Sequence, residues 1–326
     1  MAPASVSRRT VPGVDLSLSV LSFDLGTLAA GPSADRILVG LIRRARDAGI
    51  TTFVANGPSH AANAERLLSL AFGERTEPIE VVIERSRSDL ARAAPPAESP
   101  SGLGDRLAAS IGVSRSRLPA SARIVLQWTD DAGVGPDAEI GPVLDALRAD
   151  RVVDAWARRF ATADALSTAA TGSPPPSGTI LSVPVSLLEP KAVPAIEAIS
   201  EVRPVGVLAT DPLAAGRLDG SRFSAAVAHR DPAAGPTSLR SLHDEFDPVL
   251  RFGFLTEARR RTLAQAAIRF VLSWPSIVTA AVPAPPPERL AELLGWATSS
   301  PFSTEEWDRI ASVTGVRPPD GADGMK

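Results

Sequence analysis

The chain has 326 residues, none of them cysteine and none tyrosine. Without cysteine there can be no disulfide, no thiolate metal ligand and no thiol nucleophile. Without tyrosine no phenol is on hand as a proton donor. Lysine is confined to Lys191 and Lys326, so arginine carries nearly all the basic charge. Acidic and basic totals of 37 and 34 leave a net charge of −3. That balance gives no electrostatic case for nucleic acid or for an anionic membrane. No run approaches the ~18 consecutive apolar residues of a membrane span. The first twenty residues also lack the apolar core and small-residue cleavage site of a signal peptide. A soluble, cytoplasmic protein is expected.

Apolar residues make up 44% and charged residues 22% of the chain, enough for a sizeable core. Short apolar runs of β character alternate with stretches of helical periodicity from end to end. The β-like runs are residues 16–25, 50–55, 79–84, 123–128, 152–157, 179–183, 205–210 and 277–282. Helical patterns follow at 35–48, 62–72, 103–111, 140–149, 161–170, 192–200, 257–273 and 287–297. Ser303 and Glu306 form a capping-box signal for a last helix over 303–313. Residues 217–254, with glycine, proline and aspartate throughout, show no alternation and read as a long loop excursion. No composition break divides the chain, so residues 1–326 are expected to form one domain. A doubly wound open sheet and a closed barrel both fit this α/β order. The count of eight strands and the length favour a (β/α)8 TIM barrel, and no glycine-rich phosphate loop follows the first strand.

The placed segments resemble the aldo-keto reductase family over nearly the whole length. The resemblance is carried by LSFDLGT at 21–27, LIRRARDAGITTF at 41–53, AERLLSLAFG at 64–73 and DPLAAGRLDG at 211–220. The fullest match is TLAQAAIRFVLSWPSIVTAAVPA at 262–284. It implies a (β/α)8 barrel that binds ligands at the C-terminal ends of its strands. It also implies hydride transfer from NADPH to a carbonyl, with a tyrosine as acid, an aspartate and a lysine tuning it, and a histidine orienting the substrate. Carried over, the aspartate falls on Val54, the tyrosine on Ser59, the lysine on Ser86 (Arg85 if the register slips by one) and the histidine on Gln127. None of the four is retained. The family's cofactor contacts fall on Arg158 and Arg159, on Ser182 for the carboxamide, and on Thr210 for the stacking ring. Asp211 stands beside the pyrophosphate position and Pro285 at the 2′-phosphate position. Two negative charges at ~4 Å repel by roughly 4 kcal/mol at an effective dielectric near 20, so Asp211 opposes a pyrophosphate.

The ligand-binding candidates left in the mouth are Asp24, His60, Gln127, Arg158, Arg159 and Asp211. Asp24 and His60 are the candidates for acid–base chemistry, although the solvated loop histidine is the favoured reading of His60. A buried Asp24 needs a cation, and because neighbouring strand residues face opposite sides, only one of Arg158 and Arg159 can supply it. Trp128 reads as packing. Asp130 and Asp131 read as a helix-approach loop rather than a metal pair, and no metal is expected. His229 and His243 are expected to be exposed. Arg259, Arg260 and Arg261 read as a solvated start to the 257–273 helix, or as an anion or partner contact.

These residues point to a barrel that has lost NADPH-dependent reduction and acts by binding. Its partner would be a small molecule, anionic if Arg158 or Arg159 receives it, or a protein. No cofactor is expected; NADPH would require a rebuilt site. One alternative is a non-redox enzyme of lyase, isomerase or cyclase type using Asp24, His60 or Asp211. Another is an NADPH-dependent oxidoreductase with rebuilt contacts.

Overall fold

The structure, a computed structural model, describes residues 6–26, 32–56, 61–73, 75–93, 102–130, 140–171, 176, 178–228 and 235–317. Two short strands, β1 (Arg8–Thr10) and β2 (Ser17–Ser19), pair as an antiparallel hairpin. Eight parallel strands then close into a barrel: β3 (Leu21–Asp24), β4 (Thr52–Ala55), β5 (Ile79–Arg85), β6 (Ala122–Thr129), β7 (Ala155–Arg159), β8 (Thr179–Pro184), β9 (Gly206–Thr210) and β10 (Ile277–Pro283). Each pairs with the next, and β10 returns to β3, as the (β/α)8 expectation requires.

The helices are α1 (Pro32–Asp47), α2 (Ala61–Phe72), α3 (Arg87–Ala93), α4 (Leu103–Arg117), α5 (Ile140–Ala149) and α6 (Ala163–Ala170). They continue with α7 (Val193–Val202), α8 (Ser221–Ala228), α9 (Gly235–Leu250), α10 (Leu263–Leu272), α11 (Leu290–Leu294) and α12 (Thr304–Thr314). No helix among the described residues is long and apolar enough to cross a membrane.

Alternation along each strand builds two cores. Side chains of one parity, including Phe23, Phe53, Leu126, Trp128 and Leu181, pack outward against the helices. Those of the other parity, Val54, Val82, Val125, Ala155, Ala157, Ile180 and Leu208, fill the barrel. Each buried valine or leucine stabilises by roughly 1.5–3 kcal/mol. The β1–β2 hairpin closes the bottom by adding Val11, Leu16 and Leu18 to this inner core. Arg9 of the hairpin donates to the carbonyls of Leu272 (2.8 Å), Trp274 (3.0 Å) and Ile277 (2.6 Å), satisfying the end of α10.

Four local differences from the sequence expectation have identifiable causes. The predicted strand over 152–157 begins three residues later, because Val152 and Val153 both donate to Leu147 O in the turn that ends α5, with Arg151 at φ 58°. The shift draws Arg158 and Arg159 into β7. The 217–254 excursion holds α8 and α9 rather than loop alone. The predicted 257–273 helix divides into a 3-10 turn, Gly253–Arg259, and α10, because Thr262 and Gln265 form a capping box that starts the helix there. Arg261 therefore precedes α10 and does not line a solvated face. It is buried, 3.2 Å from Glu306 and 4.9 Å from the Phe302 ring centroid. Ser303 and Glu306 form the expected capping box at the head of α12.

The aromatic joint between α10 and α12 offers a test of this packing. Phe270 is fully buried, its ring 4.8 Å from Trp274 and 6.1 Å from Trp307. Phe270→Ala is expected to cost about 3–5 kcal/mol. It should appear as a lower urea midpoint with an unchanged slope.

Candidate functional site

The C-terminal strand ends form the mouth, and strand parity decides which side chains face it. In β5, Glu84 shares its register with Gln127 of β6 and Ala157 of β7, all on the inner face. One step higher, Thr129, Arg159 and Ser182 are level with one another and also face inward. Asp24 ends β3 beside Val54 of β4 and Pro283 of β10. The inner rim thus carries Asp24, Glu84, Gln127, Thr129, Arg159 and Ser182.

Arg159 lies 3.7 Å from Glu84, whose Oε1 also accepts from the Thr129 hydroxyl. Asp24 accepts from the Gly26 N–H at 2.8 Å. The chain approaches so closely here that a Cβ on Gly26 would stand 2.6 Å from the Asn56 carbonyl oxygen, so glycine is required. Burial raises the Asp24 pKa and the charge of Glu84 adds to the rise; the Gly26 N–H and Arg159 oppose it. Beside the charged groups, Gln127 and Ser182 are fully buried. Neither amide atom of Gln127 nor the Ser182 hydroxyl has a partner.

The other candidates divide. Arg158 has outer parity, beside Trp128 and Leu181. It pairs with Asp130 at 3.1 Å and lies 5.8 Å from the Phe160 ring centroid, so it does not join the mouth. Asp130 also receives the Trp128 indole N–H at 3.2 Å, and no group of three metal-ligating residues occurs among the described residues. Trp128 is buried packing and His243 is exposed.

Asp211, at φ 54°, turns its carboxylate onto the Ala215 N–H (2.6 Å). Partial desolvation raises its pKa, against lowering by that N–H and by Arg217. It serves the turn after β9 and does not meet Asp24. Val54 is sealed in the inner core. Ser86 is a buried helix cap, exchanging hydrogen bonds with Asp89, while Arg85 faces outward to Ser110 and Ser114 on α4. Ser59, His60, Asp131 and His229 lie outside the described residues.

Glu84 and Thr129 are the site residues that the sequence reading missed. The alternation in IEVVIE, which puts Glu80 and Val82 on one face, is the signal that finds Glu84.

A second cavity, of about 340 Å³, lies between the ends of β9 and β10 and α11. Leu213, Asp219, Pro283, Pro285, Arg289 and Glu292 are among its walls. Arg289 is already engaged: it donates to Glu292 Oε2 at 3.1 and 3.0 Å and to Asp219 O at 3.0 Å, with Asp219 Oδ2 at 3.9 Å.

No family model and no curated protein matches the sequence. Solved structures do match. A glycerol dehydrogenase from Gluconobacter oxydans superposes with a TM-score of 0.67 at 19% identity, over 96% of this chain and 95% of that one. The holo and apo forms of an aldo-keto reductase from Bacillus halodurans give 0.65 and 0.64 at 16% identity, over 97% of this chain and 99% of theirs. The chain has the aldo-keto reductase fold. The likeness extends over the whole barrel and is one of fold.

The raised pKa of Asp24 makes a signed prediction. A carboxyl whose folded pKa exceeds its unfolded value contributes stability below the unfolded pKa, and that contribution is lost as pH rises through the folded pKa. Asp24→Asn keeps an acceptor for the Gly26 N–H and removes the buried charge. The variant should melt above the parent at pH 7, and the two should converge below about pH 4. Thermal melts from pH 3 to 8 that run parallel would contradict this reading of Asp24.

Proposed function

We propose that this aldo-keto-reductase-like barrel binds a small molecule in its mouth and does not carry out NADPH-dependent carbonyl reduction. The observation that carries the reading is the inner face itself. Carbonyl reduction needs an acid poised to protonate the developing alkoxide. The described tetrad positions offer a core valine, a helix-cap serine and a glutamine, and the sequence contains no tyrosine to replace the acid.

The cofactor groove gives independent support. Following the family resemblance, the pyrophosphate would run past Asp211 and the 2′-phosphate would reach Pro285. A polyphosphate is held by backbone N–H groups and free cations. This groove offers prolines at 283, 285 and 286, which have no N–H. It also offers Asp219, Glu292 and an arginine that those two already engage. Those residues do not fit NADPH.

What remains in the mouth is suited to recognition. The rim carries three charged groups, a threonine, and two buried polar side chains without partners. Buried polar groups are nearly always hydrogen-bonded, so Gln127 and Ser182 mark where a polar ligand would settle. The test is a titration of NADPH followed by its fluorescence, together with an aldehyde-reduction assay. No saturable signal up to millimolar NADPH and no turnover are expected. Micromolar binding, or turnover abolished by a substitution in the mouth, would overturn the proposal.

The raised pKa of Asp24 supports a second reading, a non-redox enzyme in which Asp24 exchanges a proton with a substrate held near Arg159. Under it, a bound ligand incubated with the protein would be converted, as followed by one-dimensional NMR, and conversion would stop in Asp24→Asn. A ligand that stays unchanged over days would remove this reading.

A further inference from the structure

We propose that the barrel mouth receives a small organic cation, an ammonium-bearing molecule with a neutral polar group, its ammonium between Asp24 and Glu84 and its polar group on the Gln127 amide. This rests on the reading that the mouth is a ligand site that NADPH does not occupy, and it names the class of ligand.

The charge count comes first. Among the described residues facing the mouth, Asp24 and Glu84 are acidic and Arg159 is basic. Arg158, which would have favoured an anion, has outer parity and is paired with Asp130. Arg159 is committed to Glu84 at 3.7 Å. An anion would meet a net excess of carboxylate, whereas a cation would restore balance.

The hydrogen bonds agree. Glu84 takes both Arg159 and Thr129 on Oε1. Asp24 takes the Gly26 N–H on Oδ1. The second oxygen of each carboxylate accepts from none of the described residues, so one acceptor at each group is open to an ammonium, which brings three donors and no acceptor. Asp24 at the end of β3 and Glu84 near the end of β5 face inward on either side of β4, the charge of Glu84 adds to the rise in the Asp24 pKa that burial begins, and a cation between them offsets both.

The second, independent observation is Gln127. It is fully buried on the inner face, directly in register with Glu84, and neither of its amide atoms has a partner. A primary amide donates and accepts, so its complement is a group that also does both, such as another amide or a hydroxyl. Ala157 follows in the same register, and Ser182, level with Arg159, adds a buried hydroxyl without a partner on the same inner face.

The experiment is isothermal titration calorimetry of the full chain with 4-aminobutanamide, n-butylamine, butanamide and butanoate. These compounds separate charge from hydrogen bonding at nearly constant length. Saturable binding is expected for 4-aminobutanamide, weakened about tenfold or more by Asp24→Asn and by Glu84→Gln. Both variants keep the acceptors that Gly26 and Thr129 use, so their folds are retained. Gln127→Leu should weaken 4-aminobutanamide and leave n-butylamine unaffected, a split that a structural role would not produce. Glu84→Gln should also shift preference toward butanoate by releasing Arg159. Preferential binding of butanoate by the parent, amine affinities unchanged in both carboxylate variants, or no binding of either amine would overturn the inference. Saturable NADPH binding would instead overturn the reading beneath it, whichever panel member binds.

Discussion

A sheet closed on itself has no edge, and its inner face has no water below the rim. Every inward side chain must therefore be apolar, paired with another group, or placed at an end. In this chain the hairpin seals one end with Val11, Leu16 and Leu18, and the middle is filled with valine, alanine, isoleucine and leucine. Polar chemistry is left to the two ends: Glu80, bonded to Arg8 and Thr51, at the hairpin end and a layer of mouth residues at the other. Which residues occupy that layer follows from strand parity alone, and parity separates the two arginines of β7 more sharply than their chemistry does.

Much of the fold is legible in the sequence because it depends on period. Eight apolar runs alternating with helical patterns favour the barrel, and Ser303 with Glu306 marks the head of α12. The failures are local and share a cause: a cap or turn overrides the hydrophobic pattern. Val152 and Val153 read as strand but complete the turn after α5. Residues 257–261 read as helix until the Thr262–Gln265 box sets the start. The helix over 235–250 does carry apolar residues at helical spacing, Leu239, Leu242, Phe246 and Val249, but the glycine, proline and aspartate around them read as loop.

The site was legible to the extent that a parity could be assigned. Asp24, Gln127 and Arg159 emerge as mouth residues from their strands. Arg158 was a candidate only until the strand boundary was fixed. Asp211 looked available because its backbone conformation, which points the carboxylate at Ala215, leaves no trace in composition. Glu84 was overlooked although its alternation was plain, since it matches no family position. A resemblance directs attention to its own positions, and Glu84 and Thr129 lie two residues from such positions, Ser86 and Gln127, along the chain.

The seam between β3 and β10 has a consequence for how the chain is made. Ser22 and Thr279 bond at a sequence separation of 257, and Arg9 reaches Leu272 at one of 263. The hairpin that caps the barrel is made long before its carbonyl partners and Val278. Closure is thus a contact of very high sequence separation, and such contacts are slow to form. Until β10 emerges from the ribosome, the edges of β3 and β9 and the apolar face of the hairpin lack cover. A chain stalled shortly before residue 277 would present two open strand edges to its neighbours, an exposure that invites aggregation.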